Sequence, residues 1–322
     1  MNNRRSFIVG IKSVKLSSKE KKFLKKYKPW GVILFTRNIK NIEQTYKLTS
    51  SIKKIFNDKN YPILIDQEGG KVNRLKNIIA FDNLTSEFFG KKYIKNSKEF
   101  QFYYKLFIDK TSLLLKSIGV NINTVPVLDL RIKGSSNVIG NRSFSNNPNI
   151  VSKIGDICIR NFHRNSIGTV IKHIPGHGLA KSDSHLKLPI VDKTYEYLMK
   201  NDFKTFKNKK SLFAMTAHIL FRKIDANNPV THSSKIIGII KKKIKFKNLI
   251  ISDDISMKAL KFNITLNTIK AFTAGCDLVL HCNANLKEMH IVAENSPKLS
   301  KFIIKITNKY YKLVSNGESR FN

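Results

Sequence analysis

The chain has 322 residues, 41% of them hydrophobic, and carries 59 lysines and arginines against 22 acids, a formal net charge of +37 at pH 7. That length suits one large domain or two small ones, and no apolar run reaches the roughly 18 residues needed to span a bilayer. The three cysteines (Cys158, Cys276, Cys282) lack any CxxC spacing, which argues against a zinc ribbon or a disulfide framework and fits buried thiols in a reducing compartment.

The first apolar run follows Arg4 and Arg5 and stops at Gly10. It is too short for the apolar core of an export signal and reads as the first strand of a cytoplasmic protein. Near-continuously apolar runs then recur, as strands buried on both faces require. They occupy residues 7–10, 31–35, 61–66, 122–127, 168–173, 212–218, 249–253 and 277–282. Between them lie amphipathic segments such as 41–56, with Leu48, Ile52 and Ile55 at helical spacing, then 102–118 and 264–274. No linker rich in Pro, Gly or Ser divides the chain. Eight strand–helix alternations predict an α/β fold, a single-domain (β/α)8 TIM barrel over residues 1–322.

Polar residues close these strands repeatedly. Strand three ends in Asp66, strand five in Lys172 and His173, strand six in His218, strand seven in Asp253 and Asp254, and strand eight in His281. A barrel with its site at the C-terminal face needs such endings. Side-chain alternation sends one carboxylate of the Asp253–Asp254 pair into the mouth and the other away, where it is free to cap the next segment. Asp183 and His185 are two residues apart, a spacing that lets a carboxylate orient an imidazole as an acid/base; a solvated loop is the alternative. His173, His177, His185 and Asp183 also invite a metal reading, but none of the standard metalloenzyme spacings is present, so no metal and no cofactor is expected. Asp66 and Arg74 suit a polyhydroxylated ligand, with an internal salt bridge as the alternative, and Arg142 is a second arginine of the same kind.

The positive charge has two readings. One is a surface for nucleic acid, anionic lipid or an anionic wall polymer. The other is an AT-rich codon bias that enriches Lys, Asn and Ile together. The lysines are scattered and no nucleic-acid recognition motif is present, so no specific nucleic acid and no membrane partner is expected.

In order along the chain stand VILFTRN at 32–38, DQEGGKVNR at 66–74, PVLD at 126–129, GNRSF at 140–144, KHIPGHG at 172–178, DSH at 183–185, MTAH at 215–218, SDDISM at 252–257 and AGCD at 274–277. With these motifs the chain closely resembles the bacterial β-N-acetylglucosaminidases of glycoside hydrolase family 3 that work in peptidoglycan recycling. The resemblance implies a retaining hydrolase with Asp253 as nucleophile, His185 as acid/base and Asp183 as its dyad partner. It implies that Asp66, Arg74, Arg142, Lys172 and His173 hold the terminal N-acetylglucosamine of an anhydro-muropeptide. A monomer is the expected state. Small departures, Ile174 for the usual Phe and Lys71 for the common Arg, touch none of the implied catalytic atoms. A basic barrel binding an anionic polymer and a β-glucosidase of the same family are the alternatives.

Overall fold

The computed structural model describes residues 3–184 and 186–315. Ten strands follow in chain order: β1 (Arg5–Gly10), β2 (Pro29–Leu34), β3 (Ile63–Ile65), β4 (Ile122–Asn123), β5 (Gly168–Ile174), β6 (Ile190–Val191), β7 (Phe213–Thr216), β8 (Leu220–Phe221), β9 (Leu249–Asp254) and β10 (Leu278–His281). Eight of them close a parallel barrel in the order β1-β10-β9-β7-β5-β4-β3-β2, while β6 and β8 form a separate parallel pair. The eight barrel strands are the eight expected ones. The small pair was not foreseen, because two residues are too few to show a period.

Side-chain alternation divides the core in two. Ile8, Ile33, Leu64, Ile122, Val170, Phe213, Met215, Leu249, Ile251, Leu278 and Leu280 fill the barrel interior. Their neighbours, among them Val9, Val32, Ile63, Ile171, Ala214, Ile250 and Val279, pack outward against the helices. The N-terminal end is plugged by the helix Lys301–Ser315: Tyr310 and Trp30 pack on Phe213, and Trp30 Nε1 donates to Thr307 Oγ1 at 2.9 Å. That leaves the C-terminal end for chemistry.

Several strands stop short of their expected ends. Beyond β4, the Asn123 amide takes over the pairing with the β3 side, accepting from the Gln67 N–H at 3.0 Å and donating to the Gln67 carbonyl at 2.9 Å. Pro126 then has no N–H to continue the ladder. Asp66 sits just past β3, and His218 two residues past β7.

The helices follow their caps. Asn41 opens Ile42–Phe56, and Asn263 opens Ile264–Ala274, which ends at Gly275 with φ +108°. The helix Ser97–Ser117 starts five residues before the expected 102, because Asn96 caps it by accepting from the backbone of Lys98 and Glu99.

Candidate active site

A buried charge cluster forms where β3, β5 and the loop after β4 meet. Lys172, on β5, has three ammonium protons and three acceptors: Asp66 Oδ1 at 2.9 Å, Glu68 Oε1 at 2.7 Å and Thr124 Oγ1 at 3.0 Å. Arg142 forks onto both oxygens of Glu68 at 2.8 Å each. Burial alone would raise the Glu68 carboxyl, but Arg142 and Lys172 outweigh it and hold it at about 2. Asp66 is likewise held well below the ordinary carboxylate range, against the effect of burial, by Lys172 and Arg74. Burial would lower the Arg142 guanidinium, and Glu68 more than reverses that. Thr124 also bonds Asp66 Oδ1, whereas Arg74 Nη2 reaches Asp66 Oδ2 at a longer 3.4 Å. The Arg74 guanidinium lies 5.3 Å from the Phe35 ring centroid.

A second buried carboxylate organises the loop that leaves β5. Asp129 Oδ2 accepts from His173 Nδ1 at 2.7 Å, and Oδ1 accepts from the His177 backbone N–H at 2.7 Å. Burial opposes the charge, yet His173 and His177 bring the carboxyl below its ordinary value. Burial pushes His177 down to about 4, helped by His173, so its ring is neutral at pH 7. His177 Nε2 is 3.2 Å from Ser184 Oγ, which ties the fixed turn at 175–178 to the segment carrying Asp183. The turn needs its glycines: a Cβ on Gly178 would stand 2.5 Å from the Leu130 carbonyl oxygen.

The third group is at the end of β9. Leu249 and Ile251 point into the barrel. Alternation therefore places Asp253 on the inner face and Asp254 on the other. Asp254 Oδ1 accepts from Ser256 N at 3.0 Å, Ser256 Oγ at 2.8 Å and Cys282 N at 3.2 Å, so this carboxylate holds the backbone. Asp253 Oδ1 accepts from the Asp254 N–H at 2.8 Å, and the Asp253 N–H donates to Thr216 Oγ1 at 3.3 Å. His218 Nε2 is 3.0 Å from the Asp254 carbonyl and therefore carries the proton. Its Nδ1 then accepts from Thr231 Oγ1 at 2.8 Å, and Thr231 in turn bonds Thr216 at the same distance. Burial lowers the His218 pKa, with Asp253 opposing it. A closed hydrogen-bonded chain thus fixes the backbone on both sides of Asp253.

The internal salt bridge of Asp66 with Arg74, the alternative to a ligand-binding reading of that pair, is present at 3.4 Å, and Arg142 is engaged by Glu68. Asp183 is half-buried near Lys71. His185 lies outside the described residues, and so does its separation from Asp253. His281 does not join the mouth as its strand-end position suggested. It follows Val279 on the outer face, where its Nε2 meets Glu288 Oε2 at 2.8 Å. Among the described residues no group of three or more His, Cys, Asp or Glu could hold a metal. Sequence reasoning assigned no role to Glu68, Thr124, Asp129 or Thr231, and counted His218 only among the polar strand ends at the C-terminal face. The one signal for Asp129 was its position directly after an apolar run, and for Glu68 its place between Asp66 and the glycine pair.

The glycosyl hydrolase family 3 N-terminal domain model matches residues 7–301. A β-hexosaminidase of Hydrogenovibrio crunogenus is 33% identical over 283 residues, covering 86% of this chain and 78% of its own. That of Idiomarina loihiensis is 30% identical over 294 residues, covering 90% and 87%. Among solved structures, native NagZ from Neisseria gonorrhoeae matches with a TM-score of 0.84 at 27% identity, covering 97% of this chain and 90% of that one.

Proposed function

We propose, for a chain that belongs to glycoside hydrolase family 3 and is a β-N-acetylhexosaminidase of the NagZ type, that it removes N-acetylglucosamine from the non-reducing end of anhydro-muropeptides with retention of configuration. It does so in the cytoplasm, as a monomer, with all its machinery in one barrel domain. The observation that carries the reading is the end of β9. Asp253 is on the inner face of the barrel mouth, and Thr216, Thr231 and His218 fix the backbone on both sides of it.

The reaction is a double displacement. Asp253 attacks the anomeric carbon as the glycosidic C–O bond breaks, and His185 gives its proton to the leaving oxygen. Water then attacks the same carbon and loses a proton to His185, and Asp253 leaves as carboxylate. Asp183 orients the His185 ring. The sugar is gripped by Asp66, Arg74, Arg142, Lys172 and His173, which divide the work by exposure. Asp66 and Arg74, with side chains 15% and 31% exposed, meet hydroxyls directly. Lys172 and Arg142, at 2% and 11%, hold Asp66 and Glu68 in place and supply the positive field. His173 is oriented from below by Asp129.

Hydrolysis of nitrophenyl N-acetyl-β-glucosaminide beside the matching β-glucoside tests the reading, followed by release of N-acetylglucosamine from a purified anhydro-muropeptide. Strong preference for the N-acetylated sugar is expected, and equal rates would point to a glucosidase. His185→Ala should slow substrates with poor leaving groups far more than activated aryl glycosides; equal losses would remove it as the acid.

A further inference from the structure

Two consecutive helices, Ser86–Lys95 and Ser97–Ser117, expose six large apolar side chains: Phe88, Ile94, Phe102, Tyr103, Leu106 and Leu113. Phe102 is 66%, Leu106 56% and Leu113 63% exposed. At 100° per residue these three fall within an arc of about 40° on the longer helix. That helix already has a core-facing stripe in Phe100, Tyr104, Ile108 and Leu115, so the outer stripe is not required by the fold. It continues onto the shorter helix. The Phe102 and Tyr103 rings are 5.3 Å apart, and Lys92 Nζ lies 4.5 Å from the Tyr103 ring and 6.0 Å from Phe88.

Lysines frame the stripe, with Lys98 and Lys105 along one flank and Lys92 and Lys110 along the other. Residues 86–117 hold seven lysines and three acids. Each of those acids is ion-paired: Glu87 with Lys91 and Arg131, Glu99 with Lys92, and Asp109 with Lys105. Two of the framing lysines, Lys92 and Lys105, share their charge with those acids, and the excess of four lysines over acids leaves the face apolar along its ridge and net positive around it.

We infer that this face docks the enzyme on the surface of a bilayer rich in anionic lipid. The lysines meet lipid phosphates, and Phe102, Leu106 and Leu113 enter the boundary between headgroups and acyl chains. The contact is peripheral, since no described helix is long and apolar enough to cross a membrane. A second copy is the wrong occupant: it would set this positive edge against another, on a chain of net charge +37. The expectation of no membrane partner rested on lysines scattered in sequence, whereas folding gathers a set of them around an exposed apolar ridge. The inference does not depend on the glycosidase reading.

The full chain is sedimented with vesicles of pure phosphatidylcholine and of phosphatidylcholine with 30% phosphatidylglycerol, at 0.1 M salt. At least tenfold tighter binding to the anionic vesicles is expected. F102S/L106S/L113S should lose at least fivefold of that binding, with unchanged hydrolysis of nitrophenyl N-acetyl-β-glucosaminide and an unchanged Tm. The control K301Q/K305Q/K309Q, on the helix at the barrel's closed end, should bind as the native chain does. If the triple serine variant unfolds, Leu106→Ser alone should still lose a measurable part of the binding. No preference for anionic vesicles overturns the inference, as does undiminished binding by the serine variants, which would indicate a charge-only attraction for any polyanion. A native dimer that F102S/L106S/L113S converts to monomer overturns it too, by making a second copy the occupant.

Discussion

Replacing Lys172 by Met keeps most of the side-chain volume and removes the cation on which Asp66, Glu68 and Thr124 converge. Leaving a buried charge without its partner costs about 3–5 kcal/mol. Glu68 supplies a second figure. Its fall from 4.5 to about 2 corresponds to roughly 3 kcal/mol at about 1.4 kcal/mol per tenfold, and Lys172 shares that with Arg142. A loss of about 3 kcal/mol follows, a drop in Tm of about 4–5 °C for a chain of this length. The pH dependence is specific. Both carboxyls are depressed in the folded state, so their stabilisation is complete above the ordinary 4.5 of Glu68 and is lost as pH falls toward 2. The gap between native and K172M should accordingly be full at pH 7 and close below about pH 4.5. Thermal melts from pH 3 to 7 measure it, and E68Q/K172M should be at least about 1 kcal/mol more stable than the two single losses add up to. A gap under about 1 kcal/mol at pH 7, or one indifferent to pH, would refute the reasoning.

The two aspartates at the end of β9 should separate cleanly. Asp253→Asn should keep Tm within about 2 °C and cut kcat by at least about 1,000-fold, a transition-state loss of about 4 kcal/mol. Asp254→Ala strips an oxygen that accepts three hydrogen bonds, and should cost about 2–4 kcal/mol in a urea melt. His218→Leu breaks the chain behind Asp253; kcat should fall about 10–100-fold with KM within about threefold, and a loss confined to KM would contradict a positioning role. His163, His177 and His232 are each pushed by burial to about 4 from 6.5. They fold in the neutral form, so stability is complete above about pH 6.5 and declines as pH falls toward 4. A urea midpoint that stays flat over that interval would show the rings are not buried neutral.

The barrel was legible because parallel strands buried on both faces write long apolar runs into a sequence, and because Asp66, Lys172 and Asp253 close such runs. What the runs do not encode is direction beyond the last ladder bond. His281 and Asp253 both end strands, yet one faces Glu288 outside the barrel and the other the mouth. Only a residue-by-residue count of alternation from Leu249 and from Leu278 separates them, and that count needs the strand bounds. Partner choice was also hidden. Glu68 and Arg142 are 74 positions apart, and Asp129 and His173 are 44 apart. Acid and base become partners only when neighbouring strand ends are brought together, so composition could name the arginines but not say that one of them is spent on Glu68. Surface lysines showed the same limit, since their scatter in sequence says nothing about what they frame in space.

The most direct test of the account is to trap the enzyme with a 5-fluoro N-acetylglucosaminide bearing a good leaving group, digest it and map the adduct by mass spectrometry. The account predicts one glycosyl group on the peptide carrying Asp253, absent from Asp253→Asn and released by an added acceptor. A label on another residue, or rapid turnover by Asp253→Asn with no adduct at all, would contradict it.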